Sequence, residues 1–407
     1  MIYRMAKRLI GVGALLLGAC LPAQSQTLPS EPIAFGDGRV VLGGGVSASY
    51  APEDPGFFNY TDYEHSTLRM VRLTLSVSVK ASDHLSVRGE VRSENGAAPE
   101  AYGVYLRVRP WVNHAFDIQI GRVPPTFGAF ARRSYEADNP LIGYPLGYQY
   151  LTSLRPDALP GSADELLRMR GRGWLSNYSV GDLAPDRGVP LVNAFRWDTG
   201  VQLHTATEIV DVTASVTAGT PSNPRVRDDN DGRETAGRVV VRPLPGLSIG
   251  GSAARGAFVS LAAARAALED GRAGDFTQTL WGTDVEYSRD YYLVRMENVV
   301  STWTIPLPGG GSSTEVPLRA IATAVEGRYK IRPGLYAAAR VDHLGFSEIV
   351  GAAGAQTWEA PVTRFEVGGG YSIQRNLVLK LAYQHNVRDG GRVPRLNISA
   401  AQVVYWF

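Results

Sequence analysis

The 407-residue chain has a single cysteine, Cys20. With no second thiol, an intramolecular disulfide and a cysteine-based zinc site are both excluded. Long apolar runs are missing as well. After the first 25 residues, no stretch reaches the 18 consecutive apolar residues expected of a transmembrane helix. Nor is there an excess of one charge. Lys and Arg total 41 and Asp and Glu 39, and setting aside Arg4, Lys7 and Arg8 leaves 38 basic residues. A near-neutral body lacks the basic excess that displaces counterions from nucleic acid, so no nucleic-acid partner is expected. His65, His84, His114, His204, His343 and His385 show no paired metal spacing. No nucleophile elbow is present, and "GRGWLSNYSVG" does not fit the dinucleotide fingerprint. "RVRDDNDGRE" (225–234) gathers three aspartates but lacks EF-hand spacing and a distal Glu, so it reads as a solvated turn. The expectation is a protein that is not an enzyme, with no cofactor and no metal.

What the chain does have begins with "MIYRMAKRLIGVGALLLGACLPAQSQ". A basic start precedes an apolar run from Leu9 to Ala19, too short to span a bilayer, and Ala23-Gln24-Ser25 offers a small-x-small cleavage pattern. Residues 1–25 therefore read as a secretory signal peptide. "LGAC" leaves a second reading open, a lipoprotein box with Cys20 as lipid acceptor. Both readings take the chain out of the cytoplasm.

The remainder alternates with period two. In "VRLTLSVSVK", Val71, Leu73, Leu75, Val77 and Val79 share one face and Arg72, Thr74, Ser76, Ser78 and Lys80 the other. The same pattern recurs in "LSVRGEVR", "VYLRVRPW", "LYAAARVD" and "LVLKLAYQ". About sixteen such segments can be marked: near 39–50, 67–80, 84–94, 100–111, 114–122, 195–206, 209–219, 234–243, 246–256, 277–288, 291–303, 317–330, 334–346, 361–373, 376–388 and 396–407. One such strand fits a half-wet soluble sheet equally well. The connections separate the two. Tight turns such as "PLPG", "SRDY" and "IRPG" alternate with long links near 51–66, 123–194, 220–233, 257–276, 304–316 and 347–360. That asymmetry belongs to a transmembrane barrel, in which one face meets lipid and the other a wet lumen. Trp111, Phe116, Trp197, Tyr287, Tyr292, Tyr329, Tyr371 and Tyr405 lie near strand ends, where interfacial aromatic girdles sit. The fold class is thus all-β, an antiparallel transmembrane β-barrel of about 16 strands spanning 39–407.

On these features the chain resembles the Gram-negative outer-membrane porins of sixteen strands, general or phosphate-selective-like. The resemblance implies the bacterial outer membrane, with lipid and lipopolysaccharide around the barrel. It makes 26–38 an N-terminal periplasmic segment. It implies a homotrimer and passive diffusion of small hydrophilic solutes or anions. It also implies that the long connection at 123–194 folds into the barrel as a constriction, the alternative being a loop over the mouth. Within it, "GSADELLRMRG" predicts a short helix with Ser162 as N-cap, Glu165 as its capping-box partner and Gly171 as terminator. "SLAAARAALEDG" (260–271) predicts a loop helix.

Charge on the inferred lumen face is uneven. Arg72, Lys80, Arg88, Arg92, Arg107 and Arg109 form a basic wall opposed only by Glu90. The insert supplies constriction candidates Arg132, Arg133, Glu136, Asp138, Arg155, Asp157, Arg168 and Arg170, with Asp164 and Glu165 as further acids able to face the wall. A net positive constriction would give weak anion preference; wall arginines paired with acids across neighbouring strands would not. Tyr144, Tyr148 and Tyr150 could form a stacking track in a substrate-specific channel for a sugar or oxyanion. A closed-lumen barrel acting as an enzyme or adhesin is the remaining alternative. The closing "AAQVVYWF" sets Val403, Tyr405 and Phe407 on the lipid face. It resembles the terminal signal read by the barrel-assembly machinery, so Tyr405 and Phe407 are assigned that role, with the last strand closing against Val40–Ser49.

Overall fold

The computed structural model describes residues 29–62, 65–309 and 312–407. The expected signal peptide, residues 1–25, and Cys20 lie outside the described residues. Sixteen antiparallel strands form the wall. They are β1 (Val40–Tyr50), β2 (Val71–Lys80), β3 (Leu85–Glu94), β4 (Glu100–Val108), β5 (Phe116–Val123), β6 (Asp198–Ala206), β7 (Val210–Thr217) and β8 (Glu234–Leu244). Then come β9 (Leu247–Ala257), β10 (Thr277–Arg289), β11 (Tyr292–Gly309), β12 (Ser312–Arg332), β13 (Leu335–Phe346), β14 (Val362–Gln374), β15 (Leu377–Arg388) and β16 (Arg395–Trp406). Each pairs with its chain neighbour, and β16 returns to β1 with Gly45 opposite Trp406 and Tyr50 opposite Ala401. The sheet therefore has no open edge in lipid, as a membrane wall requires.

The pleat sorts the side chains as the alternation predicts. Val71 and Leu73 are 44% and 48% exposed, whereas Arg72 between them is 2% exposed. The outward set continues round the wall through Ile120, Val239, Val294, Val341 and Val403, a belt of apolar groups that suits lipid and not water. Trp111, Tyr287, Tyr292, Tyr329 and Tyr371 are exposed beside the short turns, forming one aromatic girdle. Those turns are tight where glycine supplies a left-handed residue, as at Gly246 (φ +82°) and Gly334 (φ +79°).

Three sequence expectations change, and one segment gains a strand. The link expected at 304–316 is mostly strand, because β11 and β12 run on in register to Gly309 and Ser312. Prolines 306, 308 and 317 disguise this, yet an extended hairpin needs no neighbour on its outer edges. Segment 26–38 carries a short strand, Ile33–Phe35, which pairs with Val40–Leu42. The insert spans 124–197, and β6 starts at Asp198 rather than near 195. Trp197 leaves the girdle: its ring lies 5.2 Å from Tyr102 and 6.2 Å from Tyr105, over Gly103, where a Cβ would meet it.

The insert carries the core. Phe127, Phe130, Tyr144, Tyr148, Leu154 and Leu166 are buried among it and the wall, each worth about 1.5–3 kcal/mol on burial. Its helices α1 (Leu146–Gln149) and α2 (Ala163–Arg168) are short. Ser162 caps α2 by accepting from the Glu165 amide at 3.2 Å, and Glu165 accepts from Gly161 rather than from Ser162 itself. Helix α3 (Leu261–Ala267), capped by Ser260, lies in the loop after β9.

Candidate functional site: a lumen filled by the insert

The stretch 127–144 crosses the barrel, and its successive residues are tied to many strands of the wall. Glu297 on β11 accepts from the amides of Ala129 (2.7 Å) and Phe130 (3.1 Å) and from the Tyr148 hydroxyl. Arg132 donates to Thr213 on β7 at 3.0 Å, and Arg133 pairs with Glu286 on β10 at 2.6 Å. Tyr135 then donates to Glu90 on β3 (2.7 Å), and Glu136 pairs with Arg72 on β2. Lys380 on β15 donates to the carbonyls of Glu136 and Asn139. Tyr336 on β13 donates to Pro140 O at 3.0 Å. At Gly143 the amide donates to Glu366 and the carbonyl accepts from Arg340, at 2.9 and 2.6 Å. A side chain there would displace its neighbours, since a Cβ would come within 2.2 Å of Gln384 Nε2 and 2.8 Å of a Glu366 oxygen.

The basic wall is accordingly divided. Arg72 is shared between Glu94 (2.8 Å) and Glu136 and also donates to Tyr144. Arg92 pairs with Glu90 and lies 3.3 Å above the Tyr102 ring. Arg107 pairs with Asp117 at 2.5 Å. Arg88 and Arg109 are exposed towards the short-turn end, as is Lys80, which pairs with Asp83. Of the constriction candidates, Arg132, Arg133 and Glu136 meet the wall, and Asp138 lies in the same crossing stretch. Arg155, Asp157, Arg168 and Arg170 do not. Arg155 is buried inside the outer part of the insert, holding Asp157, Ser176 O and Ala184 O together. Arg168 is exposed beside Glu165, and Arg170 reaches Thr357 in the loop between β13 and β14. Asp164 caps that same loop at Ala352, so neither it nor Glu165 faces the basic wall. Tyr144, Tyr148 and Tyr150 are buried and hydrogen-bonded, so they form no track along a path.

Other lumen charges cancel in place. Arg238 pairs with Asp284 through both nitrogens, and Arg340 contacts Glu326, Asp342 and Glu366. From β7 round to β16, every strand carries a lumen-facing polar side chain less than one-tenth exposed, from Thr213 and Arg238 through Glu297 to Arg340, Glu366 and Gln402. A cavity of about 410 Å³ remains against β3–β5. Arg92, Glu94, Glu100 and Arg122 line it from the wall, and Asp157, Asp186, Arg187 and Arg196 from the insert. Arg122 donates to Trp197 O at 3.0 Å and to Ala101 O. Burial, with Arg196 alongside, pushes the Arg187 guanidinium below its ordinary value.

Sequence reasoning missed Glu94, Tyr135, Arg122 and Arg196. Glu94 was legible, since it shares the face of Glu90 and Arg92; Tyr135 and Arg196 depend on how the insert turns.

No protein-family model matches the sequence, and no curated protein matches it. Solved structures do. OmpF of Salmonella typhi superposes with a TM-score of 0.55 at 11% identity, over 90% of this chain and 97% of that one. The anion-selective porin from Comamonas acidovorans gives 0.54 at 9%, over 90% and 99%. The chain has the porin fold. The trimer form of OmpT, an outer-membrane protein of Vibrio cholerae, gives 0.52 at 12%, over 90% and 99%. At such identities the likeness concerns the fold alone. It is the fold of outer-membrane proteins, and the apolar belt of this porin-fold chain fits that membrane. Its residue pairs inside the barrel must be read from this chain itself.

Proposed function

We propose that the protein is a narrow outer-membrane channel that passes small hydrophilic solutes by diffusion, without chemistry. The observation that carries this reading is the 410 Å³ cavity against β3–β5, beside a lumen otherwise filled by the insert. A path on that side would run past Glu100, Arg122 and Arg196 and leave near Arg88, all of them polar and none buried. Charge selectivity would be slight. Arg72 and Arg92, the core of the basic wall, are matched by Glu94, Glu136 and Glu90, so weak anion preference would rest on Arg88, Arg122 and Arg196. A homotrimer is proposed by analogy with the trimeric relative in fold, together with lipid and the barrel-assembly machinery as partners.

The test is a planar-bilayer recording across a KCl gradient. Small, regular conductance steps with a slightly anionic reversal potential are expected. Cation selectivity would overturn the anion preference. Complete absence of steps would favour the second reading, a closed-lumen barrel, for which the ring of buried polar groups from β7 to β16 speaks.

A further inference from the structure

Both feet of the insert meet at a small pocket. Pro124–Phe127 forms one side, where the chain leaves β5, and Val192, Asn193 and Asp198 form another, where it rejoins the wall. Thr217 and Glu234 complete it from β7 and β8. The register explains the convergence. Thr217 stands opposite Gly200 on one side and opposite Glu234 on the other. Asp198 lies two residues before Gly200, so all three side chains share the lumen face.

The two carboxylates are treated very differently. Asp198 accepts from the amides of Thr199 (2.8 Å), Gly219 (2.8 Å) and Arg225 (3.1 Å). The Thr217 hydroxyl also serves it. Four fixed donors thus serve its carboxylate. Glu234 is 6% exposed, and among the described residues no donor or cation meets its carboxylate. The charge that bears on it is that of Asp198. Arg196, exposed at the pocket's rim, turns its influence on Arg122 and Arg187 instead. A buried, unpaired carboxylate beside a second carboxylate is costly to hold as an anion unless something from outside compensates it. A proton would neutralise Glu234 and leave Asp198. A cation would compensate Glu234 and share the Asp198 carboxylate, on which the Arg122 and Arg225 guanidiniums also act. The space open to water-sized groups is about 30 Å³, enough for an ion with a few waters and too small for an organic ligand.

We propose that Glu234, with Asp198 and the Thr217 hydroxyl, binds a calcium ion that pins both feet of the insert to the wall. Oxygen ligands select a hard cation. The set is irregular and needs water to complete it, which calcium accepts and magnesium, with its strict octahedron, does not. The inference stands apart from the proposed transport role, since it concerns how the insert is held and not what passes it.

The full chain, folded in detergent and stripped with EDTA, is titrated with CaCl2 by calorimetry and with Tb³⁺ by luminescence sensitised through Trp197, the neighbour of Asp198. One saturable site is expected, with magnesium competing poorly. Glu234→Gln should weaken calcium binding at least about tenfold, since even outer-shell changes cost 10–100-fold at metal sites. In calcium-free buffer the same variant should melt above the wild type, because it removes an uncompensated charge without changing volume. Asp198→Asn provides a second variant should Glu234→Gln fold poorly. Absence of binding up to the ~1 mM range of extracellular calcium modules would overturn the proposal. So would equal affinity in Glu234→Gln, or a wild type that gains stability from acid and none from calcium, which would make the proton the counter-charge.

Discussion

Arg72 shows what a single lumen charge does in this barrel. Its side chain is 2% exposed and lies between Glu94 and Glu136, with the Tyr144 hydroxyl at 3.1 Å. Solvent screening is small at such a site, and removing one partner leaves the others buried and unmatched. Arg72→Met should therefore cost about 3–5 kcal/mol, and the cost should fall on the seating of the insert and not on the wall, whose ladder is backbone. Limited proteolysis should show new cuts within 124–197 while the heat-modifiable barrel band persists. Glu136→Gln should be milder, since Arg72 keeps Glu94. Equal protease resistance of wild type and Arg72→Met would show that the arginine does not hold the insert.

At the scale of elements, the strands were legible and the loops were not, for a physical reason. A wall strand is solved locally: period two assigns its faces, and lipid outside with water or insert inside forces that alternation. Val71–Lys80 and Leu377–Arg388 could be read from their own residues. The insert is solved by distant partners. Nothing in "LIGYPLGYQY" announces that Gly143 must approach Glu366, or that Arg364 will hold the carbonyls of Tyr144 and Phe58. Arg155 and Arg170 looked like constriction charges because sequence gives charge without depth. Glu359, in the loop between β13 and β14, illustrates the same dependence. It accepts from the amides of Ser153 (2.8 Å), Ala360 (2.7 Å) and Gly171, clasping the outer insert. Burial pushes its carboxyl above the usual range despite those donors. The folded state thus takes up the proton more readily than the unfolded one. This clasp favours folding most below the ordinary Glu range and loses ground as pH rises through the raised value. Amide exchange at Ser153 and Gly171 should accelerate from acid towards neutral pH beyond the intrinsic chemical rate, and Glu359→Gln should flatten that excess.

For the whole molecule, the closing of the wall has to be separated from the narrowing of the lumen. The wall closes at the β1–β16 seam, where Phe407 donates to Gly44 O at 2.9 Å and Gly44 donates to Phe407 O at 3.1 Å. The Phe407 ring covers Gly44 so closely that a Cβ there would lie 2.8 Å from it. Deleting Phe407 should slow barrel assembly, seen as a reduced heat-modifiable band, and leave the conductance of molecules that do fold unchanged. The lumen is narrowed by different residues altogether. The insert's ties to β2, β3, β7, β10, β11, β13, β14 and β15 are side-chain and loop contacts, and none contributes to the strand ladder. The wall should therefore survive without the insert. A sixteen-stranded wall encloses an aqueous channel unless something fills it. Replacing 128–194 by a short Gly/Ser linker should leave a heat-modifiable barrel and raise single-channel conductance severalfold, with the reversal potential moving as Arg72, Arg340, Arg364 and Lys380 lose their insert partners and meet water. Arg72 keeps Glu94 and Arg340 keeps Glu326, Asp342 and Glu366 on the wall, whereas Arg364 and Lys380 held insert carbonyls, so the shift should be towards anions and modest. An unchanged conductance would mean that the insert is not what narrows the barrel.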